Sequence, residues 1–136
     1  MTDEKREAFS VAVDAWNAGD GDGYLELYDL SIRHHGLAPE PLDHQANRRF
    51  YEALWAGFPG AQLTIHDMIA EGDRLAIRFD LIGEHKGEFM SLPATGRGVV
   101  LSGQTIMRFL DGRVVERWTT ADLFGLLTQL GVLPAS

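Results

Sequence analysis

From Glu4 to Ala18 the apolar residues Ala8, Phe9, Ala12, Val13 and Trp16 recur at helical spacing, with Asp3 placed to cap the start and Gly19 the end. The pattern predicts an amphipathic helix with one core-facing stripe. After GDGDG, the residues Tyr24, Leu25, Leu27 and Tyr28 predict a short second helix, and SIRHHGLAPEPLD, broken by Pro39 and Pro41, reads as a loop. Asp43 then caps a third helix, about residues 43–56, that carries Ala46, Phe50, Tyr51, Leu54 and Trp55 on one broad face and stops before Phe58-Pro59-Gly60.

Beyond Gly60 the period becomes strand-like. Residues 61–70, 74–83, 99–110 and 113–123 alternate or are rich in β-branched side chains. Gly72-Asp73 and Asp111-Gly112 are hairpin turns. Pro93, Gly96 and Gly98 make HKGEFMSLPATGRG a connection or rim rather than a central strand. Helices followed by a curled antiparallel sheet predict an α+β fold with the helices covering one face of the sheet.

Length and composition narrow this further. A chain of 136 residues suits one domain, residues 1–136, able to bury a core without disulfides or a structural metal. Hydrophobic residues make up 45% and charged residues 24%, with no apolar run long enough for a bilayer, so no membrane span is expected. The beginning, MTDEKREAF, lacks the apolar core of a secretory signal, and there is no cysteine; a cytoplasmic location is the simplest expectation. A net charge of -8 repels a polyphosphate backbone, which argues against nucleic acid as a partner.

Candidate chemistry centres on Asp122, at the end of the last strand beside Trp118, Leu123 and Phe124. If buried there, its carboxyl would titrate high, as general acid/base work requires. The alternative is a cap for a helix beginning at Leu123 or Phe124. Strand parity decides its company, because a slip of one residue reverses every face. A three-residue loop at Leu110-Asp111-Gly112 sets Gln104 opposite Trp118, Ser102 opposite Thr120 and Arg108 opposite Val114, so that Gln104, Trp118, Thr120 and Asp122 share a face; this is the favoured register because it gathers the polar groups. A two-residue turn would set Gln104 opposite Thr119 and separate it from Asp122.

His34 and His35 follow the second helix, and His44, His66 and His85 complete the set, without a recognised ligand spacing, so no metal is expected. His35 reads as a pocket donor or proton shuttle, or else as a solvated loop residue. Trp16, Tyr51, Trp55, Phe58 and Trp118 suit a core, and their number also suits an aromatic ligand. Arg78 lies on the strand face opposite Leu75, Ile77, Phe79 and Leu81, placed to pair with Asp80, Glu116 or a ligand oxygen. Phosphate loops, a nucleophile elbow and a cysteine nucleophile are all missing.

The run WNAGDGDGYLELYD, RHHGL, NRRFYEALWAGFPG, IHDMIAEGDRLAIRF, GEHKGEFMSLPATGRGV and DGRVVERWTTADLFGLLTQLGVLP, in this order, resembles the SnoaL-like polyketide cyclases, or ester cyclases, of the nuclear-transport-factor-two-like superfamily. The resemblance implies a cone-shaped α+β domain, with a strongly curved antiparallel sheet on three N-terminal helices enclosing a deep apolar pocket, assembled as a homodimer or higher homo-oligomer. It further implies a cofactor-independent aldol-type ring closure of a small hydrophobic or aromatic, polyketide-like carbonyl compound, with Asp122 as general acid/base and Gln104 and His35 in support. Trp16, His34, Tyr51, Trp55, Arg78, Ile106, Trp118 and Phe124 would then contact the substrate. Ile106 and Met107 stand where a further histidine would be expected. The alternatives are a non-catalytic binding domain of the same fold, and epoxide hydrolase or hydratase chemistry.

Overall fold

A computed structural model describes residues 3–133. The order is α1 (Glu4–Asn17), α2 (Gly21–Leu25), β1 (Tyr28–His35), α3 (His44–Gly57), β2 (Gln62–Glu71), β3 (Arg74–Glu84), β4 (Gly98–Leu110), β5 (Arg113–Ala121) and α4 (Leu123–Gln129). The expected caps are present: the Asp3 carboxylate accepts from the Lys5 amide, and that of Asp43 from the Ala46 amide.

The five strands run β1-β5-β4-β3-β2 across one sheet, with helices packed on one face and the sheet left open. The sheet is mixed rather than antiparallel, because β1 lies parallel to β5 with Arg33 opposite Glu116 and His35 opposite Trp118. That strand occupies the segment expected to be helix and loop. Tyr28, Ile32 and His34 are buried while Asp29, Ser31, Arg33 and the 76%-exposed Leu30 are not, so one shifted register and one buried histidine hide its alternation.

The β4–β5 turn has two residues, Asp111 (φ 52) and Gly112 (φ 80), with Leu110 opposite Arg113, in place of the expected three-residue loop. Val115 then enters as an extra residue: Phe109 faces Val114, whereas Arg108 faces Glu116. Neither expected register survives this bulge. Gln104 lies opposite Thr120, Ile106 opposite Trp118, and Arg108 opposite Glu116 rather than Val114. The inner face therefore receives Leu101, Gly103, Thr105, Met107, Arg117 and Thr119, and the outer face Gln104, Ile106, Trp118 and Thr120.

Phe9, Tyr24, Ile32, Phe58, Leu75, Met107 and Leu126 form the most deeply buried part of the core. The chain leaves β1 through Gly36, whose φ of 99 favours glycine and whose Cα faces the Thr119 carbonyl so closely that a Cβ would overlap it. Gly36→Ala is expected to lower unfolding free energy by about 2 kcal/mol or more, read from a urea denaturation midpoint.

Candidate functional site

Between the inner sheet face and the helices lies a cavity of about 60 Å³, walled mainly by Phe9, Trp16, Leu54, Ile77, Phe79, Leu81 and Leu101. Its polar lining is limited to Tyr24, Tyr51, His34, Arg117 and Thr119, delivered by α2, α3, β1 and β5. Leu37, Phe50, Leu63, Ile65 and Ala121 are the half-buried lining residues and mark where the cavity meets solvent.

The polar wall is one connected network. Arg117 Nε donates to Thr105 Oγ1 at 2.9 Å, and Nη1 donates to the hydroxyls of Tyr24, at 3.1 Å, and Tyr28. Tyr28 Oη also pairs with Tyr24 Oη at 2.7 Å and Tyr51 Oη at 2.8 Å. Thr105 Oγ1 donates to the Trp118 carbonyl and lies 3.1 Å from Thr119 Oγ1. His34 Nδ1 is 2.9 Å from Asn47 Oδ1; an amide oxygen only accepts, so Nδ1 carries the proton. That leaves Nε2 to accept from Thr119 Oγ1 at 2.7 Å.

Burial sets the charges. His34 is 1% exposed, and desolvation, reinforced by the Arg117 charge, pulls its pKa to about 3, so the imidazole is neutral near pH 7. Burial also pushes the Tyr24 and Tyr28 hydroxyls well above the ordinary phenol range. The same burial acts to lower Arg117, but the oxygens of Tyr28, Tyr51 and Tyr24 outweigh it and hold the guanidinium above the usual arginine value. Among the described residues no carboxylate comes within ion-pair distance of Arg117.

Of the residues singled out from sequence, Trp16, Tyr51 and His34 line this cavity. Trp55 lies behind them, its ring edge-on to Trp16 at 5.1 Å. Gln104, Ile106, Trp118 and Arg78 border an open groove on the outer sheet face, on the far side of β4 and β5 from the cavity. Arg78 pairs there with Asp67 at 2.7 Å, not with Asp80 or Glu116. His35 also belongs to that side, stacked on Trp118 at 5.5 Å, with Nε2 2.8 Å from Glu116. Its hydrogen bond, followed by the hydrogen bond and then the charge of Arg108, lowers the Glu116 pKa against the opposing effect of burial. Phe124 is 72% exposed on α4.

Asp122 is exposed rather than buried. Its Oδ1 accepts from the Gly125 amide at 2.8 Å, capping α4. Folding back onto its own helix start turns the carboxylate from the cavity, although the preceding Ala121 lines it. Asp122 and Gln104 share a second shallow groove that does not include His35, so the three do not converge on one enclosed site.

Arg117, Tyr24, Tyr28, Thr105, Thr119 and Asn47 were not singled out as site residues. Arg117 stands between Glu116 and Trp118 and reads as a surface charge until the bulge at Val115 is counted. The available signal was the match of Thr105 and Met107 with Arg117 and Thr119 across one strand pair.

The chain matches the SnoaL-like polyketide cyclase family model over residues 6–130. It is 30% identical over 129 residues to aklanonic acid methyl ester cyclase DauD of Streptomyces sp. (strain C5), covering 88% of this chain and 76% of that one. It is equally similar to aklanonic acid methyl ester cyclase DnrD of Streptomyces peucetius, of which 85% is covered. Among solved structures, AclR of Streptomyces galilaeus, a proposed hydroxylase, superposes with a TM-score of 0.88 at 32% identity, covering 96% of this chain and 98% of that one. IdmH of Streptomyces antibioticus, a proposed polyketide cyclase, gives 0.79 at 31% identity, covering 94% and 99%.

The neutral, buried His34 couples stability to pH. Its folded pKa lies below the unfolded histidine value of about 6.5, so the unfolded chain binds the extra proton as pH falls below that value. Stability should therefore drop as pH falls from about 6.5 to 4.5, with a slope approaching 1.4 kcal/mol per pH unit from this residue and carboxylates adding to it only toward the lower end. Urea titrations of wild type and His34→Gln across that window should differ by this slope; parallel curves would show that His34 is not held neutral.

Proposed function

Because the chain belongs to the SnoaL-like polyketide cyclase family, we propose that it is a cofactor-independent cyclase that closes a ring in a polyketide-like carbonyl compound by an intramolecular aldol step inside the cavity. The observation that carries this reading is the gathering of a neutral imidazole and an unpaired guanidinium on one wall of an otherwise apolar cavity.

A carbon flanked by carbonyls loses its proton when a base receives it and the enolate oxygen is stabilised. Thr119 Oγ1 takes that proton while passing its own to His34 Nε2, and Asn47 steadies the resulting imidazolium through Nδ1. A base with a pKa near 3 is weak, yet the cause of that weakness is reversible: burial and the Arg117 charge depress it, and an enolate beside Arg117 offsets the second. The carbanion then attacks a second carbonyl carbon, whose oxygen recovers the proton. The product is an isomer of the substrate.

Size sets a condition on binding. About 60 Å³ holds a few waters, whereas an apolar cavity that accepts benzene measures on the order of 150 Å³. A ring-forming substrate must therefore displace the half-buried side chains at the mouth, Leu37 and Phe50 among them.

A second reading follows the resemblance and places proton transfer on Asp122. It is favoured by that residue's position next to Ala121 of the lining and by its Oδ2, which has no partner among the described residues, since the cap uses Oδ1. The two readings separate cleanly in single-turnover assays with a methyl ester polyketide. With His34 as base, His34→Gln loses about 100-fold in turnover, while Asp122→Asn retains it and Asp122→Ala costs only about 1 kcal/mol of stability as a lost cap. The opposite pattern moves the chemistry to Asp122. A product of unchanged mass supports ring closure; one gaining an oxygen atom points to hydroxylation, and one gaining the elements of water points to hydration.

A further inference from the structure

We propose that the cavity holds its ligand as an organic oxyanion, an ionised enol, phenol or carboxylate, against the guanidinium of Arg117. The inference rests on the cyclase reading only in placing the ligand in the same cavity.

Arg117 is 5% exposed and lines the cavity, yet its hydrogen-bond partners are the neutral oxygens of Thr105, Tyr24 and Tyr28. A charge taken from water without a counter-ion is costly, and hydroxyls compensate it only in part. The chain does not lack acids, with twenty against twelve basic residues, and it spends them elsewhere: Asp67 on Arg78, Glu116 on Arg108, Asp22 on Arg48. Among the described residues none is directed at the guanidinium that lines the cavity.

The network leaves a particular valence open. Nε and Nη1 are committed, and Nη2 has no partner among the described residues. The hydroxyls around it are tied to one another across Tyr24, Tyr28 and Tyr51. Positive charge is thus what the wall still offers to a ligand. The remaining walls are apolar, which excludes water and strengthens a charge interaction made inside.

These features oppose each other in a measurable way. An apolar cavity alone favours the neutral form of a bound acid and raises its pKa, whereas an unpaired guanidinium favours the ionised form and lowers it. The sign of the shift therefore reports which prevails. 4-Nitrophenol is a suitable probe because only its ionised form absorbs strongly in the visible, and its proton is released to solvent.

Titrated with excess wild-type protein, bound 4-nitrophenol is expected to ionise at least one pH unit lower than when free, which equals about tenfold tighter binding of the anion. Arg117→Met, which keeps an apolar stem, should abolish or reverse the shift, and Arg117→Lys should keep part of it, with circular dichroism checking that each variant folds. If neither folds, the wild-type sign decides alone. An unchanged or raised pKa, a failure to bind, or a folded Arg117→Met that lowers the pKa as wild type does would overturn the proposal. A lowered pKa in a protein that closes no ring leaves the oxyanion site standing and removes only the cyclase reading; ring closure with no lowering does the reverse.

Discussion

One extra residue in β5 determines which side chains line this molecule's cavity. With Val115 bulged out of the ladder, Val114 and Val115 are both buried, and from Glu116 onward the strand alternates with the opposite phase. Arg117 and Thr119 go inward and Trp118 and Thr120 outward. Without the bulge the period-2 rule would bring Trp118 to the helices and place Arg117 in water. The burial of an arginine is thus a matter of backbone register before it is one of electrostatics.

Once Arg117 is inside, neighbouring elements are constrained to receive it. Its donors engage β4 through Thr105, α2 through Tyr24 and β1 through Tyr28, and the hydroxyl of Tyr28 extends the chain to Tyr51 on α3. A second branch runs from Thr119 through His34 to Asn47, joining β5, β1 and α3. Each link satisfies a polar group that would be costly to bury alone. The same bonds fix ring and hydroxyl orientations around the cavity, so the cost of positioning these groups is met in folding rather than in binding. Trp16 meets Tyr24 and Tyr51 edge-on and donates its indole N–H to the Ala61 carbonyl, which closes the network's apolar side.

Much of this architecture was legible where local chemistry decides it. Asp3 and Asp43 announce their helices, and β2 to β5 fall close to their expected bounds because turns and alternation specify them. β1 was not legible, since its parallel partner is more than eighty residues away and its inward residues include a histidine. The site divides the same way. Trp16, Tyr51 and His34 were found through residue type, whereas Gln104, Trp118 and Thr120 share one face as expected, two residues out of the expected register, and that face is the outer one. Asp122 illustrates a different limit: the same carboxylate suits a cap and an acid, and its bond to the Gly125 amide establishes the first role without deciding the second.

The two ionisable members of the wall gain meaning from each other. Arg117 helps hold His34 neutral, and a neutral His34 leaves the guanidinium without a competing positive charge in the cavity. An anion arriving between them would favour protonation of His34 and neutralise Arg117 in the same event, so charge on the ligand and proton uptake by the protein are thermodynamically linked. Such linkage suits a proton transfer that creates an enolate, because the two charges it produces, one on the imidazole and one on the ligand oxygen, stabilise each other only after the step has occurred. A neutral ground state does not receive that stabilisation, so in the proposed reaction the interaction is directed at the charge that develops.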